Sequence, residues 1–458
     1  MSNTLYLPEL REMLAENDTA GLKEFCTALH PARTAEFMER LTAQEAWAVL
    51  QHAELPLRVE TFGFFDHQKQ IDILETLDRA AVAQFVGSLP PDDRVDLLHD
   101  VRPEVVEELM PLIPTDERRD IQRLSAYPED TAGAVMTTQF ARLSEDLPVG
   151  QALKEIGQQA EELETIYYLY VVDEEDHLRG LVSARQLLSA IGRPDTPIGD
   201  LMERDLVTVN VADDQEEVAD KVAHYNLLAI PVVDDEHHML GIITHDDVID
   251  VVVDEATEDA YRMAGVVPMV ENYLDAKFVT IWRKRAVWLS CLFIAELFTF
   301  TALARFQRAI AAVVALSFFV PLCISTGGNS GSQAATLITR ALAVGQVSIR
   351  DWWRVLRHEL AMGLALGLTL GAVGFVRAAV FPPPENLLGE ANRWQLALVI
   401  SQAVAAICLW GTLIGSMLPL LLKRLGVDPG FASSPFVATF VDVTGIVIYF
   451  SIAQAYLL

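Results

Sequence analysis

The stretch "SSPFVATFVDVTGIVIYFSIAQAYLL", residues 433–458, is apolar over a length that crosses a bilayer, and it contains one acid, Asp442. Pro435 suits the first position of a helix, with Ser434 as its cap. A helix from Pro435 to Leu457 extends about 35 Å. Asp442 then lies about seven residues inside, roughly 10 Å below the helix start, with Ala438 and Thr439 on its face. An unpaired ionised acid facing lipid costs several kcal/mol, so Asp442 is expected to face protein or water. The residues leave two readings open: a protonated acid hydrogen-bonded within a bundle, or a carboxylate stabilised by a passing cation.

Further apolar runs lie upstream, at roughly 286–305, 309–334, 360–381 and 395–421, and with 435–457 they make five expected spans. Residues 1–275 contain no such run. The chain of 458 residues carries a formal charge of −30, unevenly spread. Residues 1–275 hold about 57 acids against 20 bases, and residues 276–458 about 7 against 14. This balance excludes a nucleic-acid partner and implies two solvents. Arg283, Lys284, Arg285, Arg340, Arg350, Arg354, Arg357, Lys423 and Arg424 fall on one side of the spans, and Arg305, Arg308, Arg377 and Arg393 on the other. The first side is therefore expected to be cytoplasmic, together with the acidic half. No basic-then-apolar leader is evident at the N-terminus. Cys26, Cys291, Cys323 and Cys408 have no metal-like spacing and read as packing residues.

Residues 1–130 show short apolar helical patterns with Pro-Asp or Pro-Glu starts, as in "LPPDDRVDLLHDVRPEVVEELMPLIPTDERRDI", and predict an all-α stack of short helices. Residues 131–253 contain a repeat. "YYLYVVDEEDHLRGLVSARQLL" aligns with "LAIPVVDDEHHMLGIITHDDVI", setting Val171, Val172, Asp173 and Gly180 against Val232, Val233, Asp234 and Gly241. Each copy has a Met-containing start and then helix, strand, acidic turn, strand and helix, an α/β pattern. It resembles a tandem CBS domain pair, which implies a dimerising module that binds nucleotides or ions; a rigid spacer is the alternative.

Residues 254–282 read as an acidic connecting helix, with a helical pattern through the acids and a further helix start offered near Pro268. Asp246, Asp247, Asp250, Asp254, Glu255, Glu258 and Asp259 include pairs three or four apart that share a face and repel. Such a run is ordinarily a solvated face, but here it joins a sensor to a membrane domain. Residues 283–458 form the all-α membrane domain. In "PLCISTGGNSGSQAATLITRALAVG", Gly327 and Gly331 form a small-xxx-small pair, as do Gly363 with Gly367 and Gly367 with Gly371, which by themselves indicate close helix packing. Asn329, Ser330, Ser332 and Gln333 add a water-facing surface, and Pro321 offers a bend before them.

This order of domains, with "PLCISTGGNSGSQAATLITRAL" and "GVDPGFASSPFVATFVDVTGIVIYF", resembles the MgtE-type magnesium transporters over essentially the whole chain. The resemblance implies a homodimeric Mg2+ channel in the cell membrane, lined by spans two and five and closed by intracellular Mg2+. It implies pore positions at Asp442, Ser434, Ala438, Asn329 and Gly328, and an acid at the cytoplasmic mouth, Asp428. It further implies regulatory Mg2+ ligands among Asp93, Asp96, Asp214, Glu216, Asp246, Asp247, Asp250, Glu255, Glu258 and Asp259, and ATP as a ligand of the CBS pair. The family commonly has Asn in place of Ser434 and often of Ser332, and relatives carry an acid in place of Asn226. The residues fit an ion with six oxygen ligands that keeps its water. A broader divalent transporter, for manganese or cobalt, is the nearest alternative. No phosphate-binding loop supplies energy, and a metalloprotease is excluded because His358 is the only histidine beyond residue 245. A membrane-tethered nucleotide sensor needs no intramembrane acid.

Overall fold

The computed structural model describes residues 6–160, 163–269, 273, 276–389 and 391–457. They form two compact units, 1–253 and 254–458.

In the first unit, short helices run from Leu7–Glu16 to Thr115–Leu124. Proline occupies the first or second helical position in Leu7–Glu16, Pro31–Met38, Leu55–Gly63, Pro91–Asp100 and Pro103–Leu109, where its missing N–H costs nothing. Asp18 and Asp78 cap two others, and Thr42 with Glu45 forms a capping box. Helices this short are marginal alone, so burial must supply their stability. A shared core from Leu10 to Ile121 does so, with Trp47 and Phe62 both packed edge-on against Phe85.

The repeat folds as two sheets of the same topology. Strands β1 (Phe140–Leu143), β2 (Thr165–Val172) and β3 (Leu178–Ser183) form one; β4 (Val209–Asn210), β5 (Ala229–Val233) and β6 (Met239–Thr244) form the other. The first pair in each is parallel and the second antiparallel, and the pairing of Val171 with Gly180 recurs as Val232 with Gly241. The methionine-containing starts are exchanged between copies. Thr137 hydrogen-bonds both ways with Ile242, and Glu203 both ways with Leu181. Met202 thereby roofs Gly180 and Met136 roofs Gly241, where a side-chain carbon would stand 2.8 Å from the methionine sulfur in both cases. Glycine is required because only a bare backbone admits that approach.

The helical pattern through the acids is one helix, His245–Met263, which begins directly after β6. Gly265, at φ +71°, ends it: its N–H bonds to Arg262 O, and Val266 N–H reaches back to Tyr261 O. Pro268 and Met269 are not helical, and residues 270–272, 274 and 275 lie outside the described residues. No helix starts at Pro268 or Met269 themselves; the rest of the stretch near Pro268 falls partly outside the described residues, and the next described helix is Phe278–Arg305.

The membrane unit contains the long helices Phe278–Arg305, Leu316–Ala343, Trp352–Val380, Arg393–Arg424 and Ser434–Leu457, called spans one to five. The expected second span, 309–334, is divided: Gln307–Ala312 is a separate short helix, and Ala315 N–H bonds to Leu387 O across the bundle. That tertiary bond leaves no local sequence mark. Spans one, three, four and five are long and apolar enough to cross a membrane, whereas span two is diluted by its Ser, Thr, Asn and Gln residues. Span four packs between two glycine seams. Gly411 and Gly415 lie against the carbonyls of Gly327 and Gly331, and Gly367 and Gly371 of span three approach the carbonyls of Ala405 and Ser401.

Candidate functional site

Span two divides its labour by helical position. Gly327 and Gly331 face the groove between spans four and five, against Ile407 and Gly411 on one side and Val441 and Val437 on the other, and Ser330 Oγ donates to Cys408 O at 3.2 Å and contacts Thr412 Oγ1. One residue further round, Gly328 and Ser332 face span five. A side-chain carbon on Gly328 would stand 3.4 Å from Asp442 Oδ1 and 3.5 Å from Ala438 Cβ. Ser332 Oγ donates to Ser434 O at 3.1 Å. Span five begins at Ser434 itself and Val437 N–H bonds to Ser433 O, so Ser433 rather than Ser434 holds the cap position. Two adjacent serines are equivalent caps by composition, and Ser433 holds the position by its carbonyl alone, since its buried Oγ has no hydrogen-bond partner among the described residues.

Gly328, Ala438, Asp442 and Ser434 are thus brought onto one seam. Asn329 projects from the next position of span two, exposed, with its amide 3.4 Å from Ser325 Oγ. Asp442 is half-buried and, among the described residues, no hydrogen bond or ion pair to it is formed within the chain. Span five is locked around it by Trp410 Nε1–H donating to Thr444 Oγ1 at 2.9 Å and Tyr449 O–H donating to Leu316 O at 2.8 Å. Glu296 of span one lies close enough for its charge to act on Asp442. It is missing from the sequence candidates although it carries the same signal, an acid inside an apolar run.

A second group of acids occupies the first unit. Asp92 and Asp93 open the helix Pro91–Asp100, Asp96 lies one turn on, Asp246, Asp247 and Asp250 come from the start of His245–Met263, and Glu164 precedes β2. Loss of water, then mutual repulsion, raises the carboxyl of Asp93, and raises Asp96 to about 6, Asp247 to about 6 and Glu164 to about 7. Asp93, Asp96, Glu164 and Asp250 keep solvent access, which tempers these effects. Asp92 is only 6% exposed, its carboxyl is raised by the same causes, and its Oδ1 has no hydrogen-bond partner among the described residues. Thr244 holds Asp247 through Oγ1–H at 2.5 Å. Asp92 and Glu164 escape the helix-face pattern because their proximity is tertiary. Asp214 serves elsewhere, accepting from Glu216 N–H at 2.9 Å at the start of Gln215–Tyr225. Among the described residues, no three His, Cys, Asp or Glu side chains converge to hold a metal.

At the loop between spans four and five, Asp428 accepts from Gly430 N–H at 2.6 Å and pairs with Arg262, which also pairs with Glu258. Asp259 is raised by burial, an effect that Arg262 opposes. Glu255 lies three residues before Glu258 on this helix.

An acid-rich unit of short helices and paired α/β repeats, joined to a bundle of long apolar helices that holds one carboxylate on a glycine seam, places the chain in the class of membrane proteins with an intramembrane acid. Residues 320–452 match the divalent cation transporter family MgtE, 29–130 the MgtE intracellular N domain, and 132–193 and 198–254 the CBS domain. The chain is 36% identical to the magnesium transporter MgtE of Thermus thermophilus, over 97% of each chain. It is 35% identical to that of Enterococcus faecalis over 75% of this chain and 73% of the other. A crystal structure of the soluble part of a magnesium transporter, 33% identical, matches with a TM-score of 0.51 over 54% of this chain and 97% of that one. The chain belongs to the MgtE family: a multi-pass membrane protein, not an enzyme, with cytosolic N-terminal domains.

Proposed function

We propose that two copies of the chain form a channel-like homodimer that carries Mg2+ into the cell, and that intracellular Mg2+ closes it by bridging cytosolic acids. The observation that carries the reading is the seam of span five against Gly328, with Asp442 lacking a hydrogen bond or ion pair among the described residues. A carboxylate beside a glycine leaves room for a cation that retains its water, which suits Mg2+ because it dehydrates reluctantly. The inside-negative potential contributes about 4.6 kcal/mol per 100 mV for a divalent ion. Closure is supported by the crowded acids of the first unit, whose repulsion a divalent ion would relieve. Moving a gate from mostly open to mostly closed takes about 5.5 kcal/mol. One site at ten times its dissociation constant supplies about 1.4 kcal/mol, so roughly four sites act together. ATP at the CBS pair is read as a modulator of this closure.

The test is Mg2+ flux into proteoliposomes, with Mn2+ and Co2+ as competitors. Asp442→Asn is expected to abolish flux while the protein still assembles. Near wild-type flux from that variant overturns the pore assignment, and equal flux of all three ions overturns the selectivity.

A further inference from the structure

We infer that Arg262 is a built-in cation at the cytoplasmic mouth: its guanidinium ties the end of the connecting helix to the pore loop through Glu258 and Asp428, doing without metal what a divalent ion does when bound. The inference rests on the gating reading above and adds a residue that reading does not contain.

Arg262 stands in the last turn of His245–Met263, where a positive charge suits the helix C-terminus. The Schellman turn at Gly265 stops the chain immediately beyond it and fixes the direction of that last turn. One guanidinium nitrogen pairs with Glu258, one turn back on the same helix, and another with Asp428, 166 residues away on the loop between spans four and five. The loop receives it closely. A side-chain carbon on Gly430 would stand 3.0 Å from Arg262 Cβ, and the guanidinium lies 6.0 Å from the centre of the Phe431 ring. Asp428 is itself fixed by Gly430 N–H, so the loop is held in a shape that presents its carboxylate. Span five begins three residues after Phe431, and a pull on this loop is a pull on the helix that carries Asp442.

Two consequences follow from charge. With Arg262 in place, one positive charge bridges Glu258 and Asp428 and halves their combined negative charge, and a divalent ion takes both carboxylates only by displacing the guanidinium. Without Arg262, like charges face each other across the mouth: the loop is released at low Mg2+, and both carboxylates become free to take the ion. A planar fork suits two carboxylates on different elements better than an ammonium does.

The experiment measures Mg2+ flux through the full-length dimer in proteoliposomes over a series of cytosolic-side Mg2+ concentrations, for wild type, Arg262→Gln, Arg262→Lys, Asp428→Asn, the double variant Arg262→Gln with Asp428→Asn, and the exchange Arg262→Asp with Asp428→Arg. Arg262→Gln is expected to raise flux at the lowest Mg2+ about threefold to tenfold, and to make closure steeper. Arg262→Lys should fall between. Arg262→Gln with Asp428→Asn should leak no more than either alone, and the exchange should return flux toward wild type. Unchanged or lower flux of Arg262→Gln at low Mg2+, at equal dimer yield, overturns the tether, as does an exchange that leaks like the single variants. A wild type that does not respond to Mg2+ overturns the gating reading instead, and the low-Mg2+ comparison still decides the tether.

Discussion

Gly327 and Gly328 are neighbours in sequence with different surroundings, so under the proposed pore one methyl group at each separates packing from permeation. At Gly327 a side-chain carbon would stand 2.7 Å from Val441 Cγ1 and nearer still to Ile407 Cγ2, both on well-buried residues. Neither neighbour has free space to retreat into, and overpacking of this kind costs about 1–3 kcal/mol. At Gly328 the nearest atoms would be Asp442 Oδ1 at 3.4 Å and Ala438 Cβ at 3.5 Å, ordinary contact distances. Gly328→Ala therefore fits, and it removes the helix penalty of glycine, about 1 kcal/mol in water. Under the proposed pore, its methyl stands where water would solvate an ion beside Asp442. Loss of one water contact, at about 1.4 kcal/mol, lowers flux about tenfold. The assay is Mg2+ flux per assembled dimer, paired with the thermal midpoint of the purified protein. Gly328→Ala should keep its midpoint and lose flux. Gly327→Ala should lose yield and midpoint, with flux scaling to the dimer that remains. The reasoning is refuted if Gly328→Ala conducts like wild type, or if Gly327→Ala is as stable as Gly328→Ala.

The raised acids make the first unit sensitive to pH: their folded pKa values, about 6 for Asp96 and Asp247 and about 7 for Glu164, lie above the unfolded ones. Stability is therefore gained as pH falls from about 8 through 6 and is fully present only below the unfolded carboxylate range. With the discount for solvent access this is about 2 kcal/mol in all, visible as slower amide exchange in residues 1–253 at lower pH after correction for intrinsic rates. Saturating Mg2+ should flatten the dependence; an apo protein with no such slope refutes the electrostatic account. Neutralising Asp247 and Asp250 together should leave the channel open at Mg2+ concentrations that shut the wild type, and closure at an unchanged concentration and steepness would return these acids to the status of a solvated face. Ser434→Asn restores the residue common in the family and should sharpen the preference for Mg2+ over Mn2+ in competition; an unchanged ratio means the side chain at 434 does not act on selectivity.

What the sequence disclosed depended on how local the cause was. The apolar runs, the repeat and the acid in span five are all readable within a few dozen residues, and each corresponds to an element of the structure. The break before span two coincides with a tertiary bond from Ala315 N–H to Leu387 O, which no local pattern announces. The glycines of span two were legible as close packing, but their partners Gly411 and Gly415 lie on span four and were not singled out. Asp92, Glu164 and Arg262 were missed for a related reason. An acid or base among many becomes significant only when folding chooses its neighbours, and Arg262 finds Asp428 across 166 residues of chain.

The exchanged methionine segments make neither CBS copy a complete fold without its sibling. A copy expressed alone would have a bare sheet edge and an unroofed glycine notch, and the ready substitute for the missing strip is the same strip from another molecule. The tandem pair is in that sense a homodimer sewn into one chain, with the link between the repeats acting as the tether that makes self-recognition intramolecular. Its two halves have been free to diverge, yet the near-dyad survives where they touch: the rings of His177 and His238, equivalent residues of the two copies, stack with centres 4.4 Å apart.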